Sequence, residues 1–84
     1  MNKDLNLIDI RSQSQYIEGH IPNSTNIPGH LLLMNPTSYL KKDKTYYIYC
    51  QTGRTSTDVV NILNKKGYNT INLEGGYNKY LLTK

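Results

Sequence analysis

The chain has 84 residues and a mass of 9.7 kDa, which corresponds to one small domain covering residues 1–84. A chain of this size has a thin core, because it buries only about 60–65% of the surface that its unfolded form exposes. This excludes a two-domain enzyme and a full dinucleotide-binding fold. The net charge of +4 comes mostly from scattered lysines. Because no basic stripe is interleaved with aromatic residues, nucleic acid is not an expected partner.

Cysteine content and hydropathy restrict the compartment and the cofactors. Cys50 is the single cysteine, so the chain can form neither an internal disulfide nor a cysteine-built zinc site, and we predict no metal or other cofactor. The longest apolar run, residues 31–34, is too short to span a bilayer. The polar start gives no sign of a signal peptide. We therefore expect a cytoplasmic protein without a membrane partner.

Four segments have the composition of β-strands. They are residues 5–10, 25–27, 45–49 and 70–73. The third is β-branched and aromatic throughout, with no alternation of polar and apolar residues. This continuous pattern predicts a central strand that is covered on both faces.

Helical segments separate these strands. Residues 12–18 and 31–40 predict short helices, the second of them interrupted by Pro36, and apolar residues at helical spacing predict a longer helix after Gly53. Thr55 and Asp58, three residues apart, are interpreted as the capping pair of that helix. Strands that alternate with helices indicate an α/β fold. We predict a small, mostly parallel sheet of about four strands flanked by short helices.

Cys50 directly follows the predicted central strand, and reactive groups of open α/β sheets lie at the carboxyl ends of strands. The loop after it is small, polar and contains a glycine, so its amides can curl into an anion cradle before the helix. Arg54 adds a positive charge. A thiol in this setting is expected to be a reactive thiolate rather than an inert buried cysteine. The candidate site consists of catalytic Cys50 with anion-binding Gln51, Thr52, Gly53, Arg54, Thr55 and Ser56.

Four short motifs occur in order along the chain. They are residues 7–11 (Leu-Ile-Asp-Ile-Arg), 18–28 (with Gly-His-Ile-Pro and Asn-Ile-Pro), 49–56 (Tyr-Cys and the loop) and 73–76 (Leu-Glu-Gly-Gly). Together they resemble the single-domain rhodanese, a rhodanese-like sulfurtransferase domain, from residue 5 nearly to the end. The chain departs from that family at two places. Thr55 stands where the family loop commonly has arginine, and the strand and helix that usually precede the first motif are missing, which is expected to expose a sheet edge.

The resemblance implies a persulfide mechanism. The Cys50 thiolate would attack the sulfane sulfur of thiosulfate or of another persulfide donor, and the sulfur would then pass to cyanide, a thiol or a protein acceptor. The arginine after the first strand often faces the active site in this family. Arg11 is therefore either a partner of Asp9 in a strand-end ion pair or a further residue that binds the donor.

Two other functions compete with this interpretation. The first is a non-catalytic sulfur-carrier or protein-interaction module, in which a Cys50 persulfide is handed to a specific partner with little turnover. The second is a cysteine phosphatase or arsenate reductase. Those enzymes need an arginine six residues after the cysteine to bind oxyanion oxygens, and that position is Ser56 here.

Overall fold

The sheet is built from four parallel strands. In the computed structural model, which describes residues 6–84, they are β1 (Asn6–Asp9), β2 (Thr25–Asn26), β3 (Thr45–Tyr49) and β4 (Asn69–Asn72). Their order is β2-β1-β3-β4, and every neighbouring pair is parallel. The predicted α/β fold with a small parallel sheet is therefore confirmed. Leu5, the predicted first residue of β1, lies outside the described residues.

Within residues 6–84, four α-helices connect and cover the strands. They are α1 (Gln13–Glu18), α2 (Gly29–Met34), α3 (Arg54–Lys65) and α4 (Gly76–Thr83). The predicted interruption at Pro36 is confirmed, since α2 ends at Met34 and a short 3-10 turn follows it. Proline has no backbone N–H to continue an α-helix, which explains the break. Among the described residues, the helices are all too short or too polar to cross a membrane.

The inner strands β1 and β3 are covered on both faces, as the continuous apolar pattern of β3 predicted. On one face, Ile8 and Ile48 belong to the larger core cluster, which also contains Leu63 of α3. On the other face, Leu7 and Tyr49 form a second cluster with aromatic side chains of α4. Both central strands are thus fixed in place, and their carboxyl ends have a defined position from which loops emerge.

The start of α3 differs from the sequence-based expectation. Gly53 is the N-cap, with a left-handed φ of +94°, and its carbonyl oxygen accepts a hydrogen bond from the Thr57 amide. The prediction that Thr55 and Asp58 form the capping pair is therefore wrong. The left-handed residue turns the chain directly from the loop into the helix, so that α3 begins before Thr55 is reached.

Strands β2 and β4 form the two edges of the sheet within the described part of the chain. Of the two, β4 is the longer, and it pairs with β3 alone. Its Ile71 side chain is 45% exposed.

Candidate active site

The sulfur of Cys50 lies at the carboxyl end of β3, where two backbone amides converge on it. The amide N–H of Gly53 donates to Cys50 Sγ at 3.1 Å, and that of Ser56 donates at 3.3 Å. The thiol in turn donates to the Ser56 hydroxyl oxygen at 3.3 Å. Cys50 is only 6% exposed. The loop therefore surrounds the sulfur with hydrogen-bond donors in a place largely shielded from water.

These contacts lower the pKa of the Cys50 thiol. Burial raises this pKa, because it disfavours the charged thiolate. Hydrogen bonding with the Ser56 side chain and with the amides of Ser56, Gly53 and Thr52 lowers it by more, so that the pKa lies below its ordinary value. The site consequently favours the thiolate, which is the nucleophilic form of cysteine.

Gly53 allows the loop to close for two reasons. Its left-handed φ of +94° is a conformation that other residues rarely adopt. In addition, a Cβ atom at this position would lie 2.9 Å from the amide nitrogen of Gly75. The loop after Cys50 and the turn before α4 therefore touch through backbone atoms alone.

Helix α4 supports the loop from outside. Its first amides donate to loop carbonyls, Tyr77 N to Cys50 O at 2.9 Å and Asn78 N to Gln51 O at 3.0 Å. Such N-terminal amides have no partner within their own helix. Because the Cys50 and Gln51 carbonyls are held outward by these hydrogen bonds, the later amides of Gly53 and Ser56 can point inward to the sulfur. Gly76 makes the approach possible, since a Cβ atom there would overlap the Cys50 carbonyl oxygen.

Neither α4 nor Asn72 was predicted from the sequence to be part of this site. The Gly75-Gly76 pair after β4 was a usable signal, because adjacent glycines permit a close backbone approach. Asn72 gave no such signal. It ends β4 and contacts both the Ser56 hydroxyl and the Thr57 hydroxyl.

Arg11 is a buried partner of Asp9. Their side chains are 4% and 0% exposed and form an ion pair at 2.8 Å. The guanidinium also donates to the Gly19 carbonyl at 2.7 Å and to Gln51 Oε1 at 2.9 Å. Burial lowers the pKa of Arg11, but Asp9 raises it by more. Of the two interpretations, the structure has the ion pair, while binding of a donor by Arg11 stays a prediction.

The other loop residues that the sequence singled out lie at the surface or are already engaged. Gln51 is half-buried, with its side chain held by Arg11 and by Asn78. Thr52, Arg54 and Thr55 are exposed. A polar cavity of about 710 Å³ adjoins the loop, and its wall includes Thr52, Gly53, Arg54, Thr57, Asp58, Asn72, Glu74 and Gly75. Within residues 6–84, no group of His, Cys, Asp and Glu side chains is arranged to hold a metal ion.

A buried cysteine that faces converging amides at the end of a parallel strand has a geometry suited to a sulfur anion. Residues 1–83 match the family model of the rhodanese-like domain, and the chain belongs to this family.

Curated relatives of the chain are named sulfurtransferases. The putative sulfurtransferase YtwF of Bacillus subtilis is 37% identical over 76 residues, which are 89% of this chain and 72% of that protein. The thiosulfate sulfurtransferase PspE of Escherichia coli is 31% identical over 92% of this chain and 75% of its own length. The tRNA sulfurtransferase of Thermoplasma acidophilum is 42% identical over 77% of this chain, but the chain spans only 13% of that protein.

Solved structures share the fold. A rhodanese-related protein from Thermoplasma volcanium superimposes with a TM-score of 0.85 at 32% identity, covering 96% of this chain and 80% of that one. A rhodanese-like domain protein from Staphylococcus aureus gives a TM-score of 0.82 at 31% identity, over 92% of this chain and 74% of its own. The chain is thus a rhodanese-like α/β domain with relatives of the sulfurtransferase kind.

Proposed function

We propose that the protein is a sulfurtransferase that moves a sulfane sulfur through a persulfide on Cys50. The donor is thiosulfate or another persulfide, and the acceptor is a thiophilic group such as cyanide, a small thiol or a protein thiol. The observation that carries the proposal is the convergence of the Gly53 and Ser56 amides on the Cys50 sulfur, at 3.1 and 3.3 Å.

The reaction has two displacements that balance without an oxidant or a reductant. In the first, the Cys50 thiolate attacks the outer sulfur of thiosulfate, the new S–S bond forms, and sulfite leaves with the electron pair of the old one. In the second, cyanide or a thiolate attacks the outer sulfur of the persulfide, and the Cys50 thiolate is released. Two steps with a covalent intermediate predict ping-pong kinetics.

The surroundings of the sulfur suit both steps. Thiosulfate, the thiolate and the persulfide are all anions, and amides that already point at the sulfur stabilise negative charge without reorganising. Because the pKa of Cys50 is lowered, a larger fraction of the thiol is ionised than in an ordinary cysteine, which favours attack on the donor. Among the residues predicted to bind anions, we assign this role to the backbone of Gln51, Thr52, Gly53, Thr55 and Ser56.

The two arginines have different proposed roles. Arg54 is exposed at the cavity beside the loop, where it can attract an anionic donor from solution. Arg11 is occupied by Asp9 and Gln51, so we propose that it supports the loop and contributes positive charge from behind. Its guanidinium carbon lies 4.3 Å from the centre of the Tyr77 ring, which places it against α4 as well.

Intact mass spectrometry after incubation with thiosulfate tests the proposal. We expect the wild-type chain to gain the mass of one sulfur atom and to lose it when cyanide is added, with thiocyanate as the product. Cys50→Ser is the matched control and should show neither change. A wild-type chain that gains no sulfur either from thiosulfate or from a small-molecule persulfide such as glutathione persulfide would refute the proposal.

The same experiment separates an enzyme from a sulfur carrier. Repeated turnover with thiosulfate and cyanide supports the enzyme. A stable sulfur adduct with no thiocyanate would instead favour the carrier or interaction module that hands its sulfur to a protein partner. In both cases the reactive atom is the sulfur of Cys50.

A further inference from the structure

Asn72 has a side chain whose orientation is fixed by its neighbours. Its Nδ2 donates to the Thr57 hydroxyl oxygen at 3.0 Å and to the Gly53 carbonyl oxygen at 3.4 Å. A carbonyl oxygen can only accept, so the NH₂ group of Asn72 must face Gly53. The other end of the amide, Oδ1, is therefore turned toward Ser56, whose hydroxyl donates to it.

Ser56 lies between this acceptor and the reactive sulfur. It is fully buried, and a hydroxyl has a single proton to donate. While the Ser56 proton points to Asn72, its oxygen lone pair faces Cys50 and receives the thiol proton at 3.3 Å. Both hydrogen bonds of the Ser56 hydroxyl can form together only when Cys50 carries its thiol proton.

Loss of the thiol proton changes what Ser56 must do. The Cys50 thiolate has no proton to donate, and a lone pair of the Ser56 hydroxyl oxygen directed at it is repelled by its negative charge. The hydroxyl can donate to the thiolate only by turning away from Asn72 Oδ1, because Ser56 has no second proton. The two acceptors, the sulfur and the amide oxygen, therefore compete for one hydrogen bond.

We propose that Asn72 is a positioning residue that competes with the Cys50 sulfur for the hydroxyl proton of Ser56. The hydroxyl donates to Asn72 when Cys50 is a thiol and turns to the sulfur when Cys50 is a thiolate. Asn72 thereby limits how much thiolate is present. For the sulfur-transfer reaction this regulation rests on the proposed function, whereas the competition itself involves only residues of the free protein.

The charged and titratable groups around the loop do not account for this competition. They are Asp9 at the end of β1, Arg11 after it, Arg54 and Asp58 on α3, Glu74 after β4, and Tyr77 and Lys79 on α4. None of these seven side chains is hydrogen-bonded to the sulfur or to the Ser56 hydroxyl, and their effect on Cys50 is present in every variant described below. A difference between variants therefore reports on the hydrogen bonds of Asn72 and Ser56.

The test is the pH profile of Cys50 alkylation by iodoacetamide, which requires no sulfur donor. Asn72→Leu removes the acceptor and keeps a similar volume, so Ser56 is free to donate to the thiolate. We expect the midpoint to fall by about half to one pH unit, which is about a three- to tenfold faster reaction below the midpoint. If Asn72 merely held the loop in shape, its loss would misalign the amides and move the midpoint upward.

Three further variants complete the experiment. In a Ser56→Ala background, Asn72→Leu should no longer lower the midpoint, because there is no hydroxyl proton to release. Thr57→Val removes the other hydroxyl bonded to Asn72 and should not lower it either. Asn72→Asp keeps an acceptor for the Ser56 hydroxyl and adds a negative charge. It should raise the alkylation midpoint more when Ser56 is present than in the Ser56→Ala background. It provides a second test if Asn72→Leu does not fold.

Some outcomes would overturn the proposal. An unchanged or raised midpoint in Asn72→Leu contradicts it, as does an equal fall in the presence and absence of the Ser56 hydroxyl. Equal shifts for Asn72→Asp in the two backgrounds would also contradict it. These results are independent of whether thiosulfate loads the cysteine, so failure of the competition and failure of the sulfurtransferase proposal can be told apart.

Discussion

The contact between Gly76 and the loop gives a sharp prediction, because a single methyl group tests whether α4 supports the sulfur site. In Gly76→Ala, the new Cβ would overlap the Cys50 carbonyl oxygen and lie 2.9 Å from the carbonyl carbon and oxygen of Gln51. Ordinary contacts of a Cβ begin near 3.4 Å, so the loop must move by about half an ångström or more. The carbonyls of Cys50 and Gln51 lie at the start of the loop, so moving them also moves the Gly53 and Ser56 amides that donate to the Cys50 sulfur.

The expected losses follow from the strain and the overlap. The left-handed φ of +58° costs an alanine about 1–2 kcal/mol, and overpacking against backbone adds about 1–3 kcal/mol. We therefore expect Gly76→Ala to lower the free energy of unfolding by about 2–5 kcal/mol. A displacement that approaches 1 Å at a reacting group should reduce the rate of sulfur loading by up to about a hundredfold.

Gly67→Ala is the matched control. Gly67 also has a left-handed φ, +96°, but a Cβ there would meet only the flexible end of Lys42, at 3.5 Å. This variant should lose about 1–2 kcal/mol from backbone strain and keep the wild-type loading rate. Urea unfolding and the rate of thiosulfate-dependent mass gain measure the two quantities. Equal stability losses in both variants, with full activity in Gly76→Ala, would refute the role of α4.

Two further predictions concern the core and the pH dependence. Tyr49→Phe should lower the free energy of unfolding by about 1–3 kcal/mol in urea titration, because the buried Ile21 amide loses the hydroxyl oxygen that accepts it at 3.1 Å. A loss near zero would mean that water replaces the hydroxyl. The lowered pKa of Cys50 means that the folded chain binds fewer protons than the unfolded one. Relative to Cys50→Ser, wild-type stability should therefore rise with pH from the lowered pKa to the ordinary value of about 8.5, and fall as pH drops through that window. A difference between the two proteins that does not vary with pH would contradict the lowered pKa.

The elements that the sequence predicted best are those whose own residues determine them. The limits of β3, residues 45–49, agree with the prediction, because a run of β-branched and aromatic residues between a charged turn and a polar loop has few alternatives. The position of Cys50 at the end of that strand followed directly. The helix α1 was equally accessible, since Ser12 and Gly19 mark its ends.

The contacts that complete the site depend on tertiary geometry. Asn72 reaches Ser56 because β4 lies beside β3 in a register that pairs Ile48 with Asn72, and sequence spacing does not define that register. The direction of the Arg11 side chain could not be decided from the sequence either. Asp9, two residues earlier, was a possible partner, but only the folded loop shows that Gln51 accepts from the same guanidinium.

The burial of the Cys50 sulfur also affects how this thiol is oxidised during storage. A disulfide brings two Cβ atoms to within about 3.8 Å of each other, so a cysteine from a second molecule would have to push its own main chain into the loop. Because Cys50 is only 6% exposed, that approach is hindered. Covalent dimers should therefore be scarce during storage, and oxidation of Cys50 should consist of oxygen added to its sulfur within each molecule.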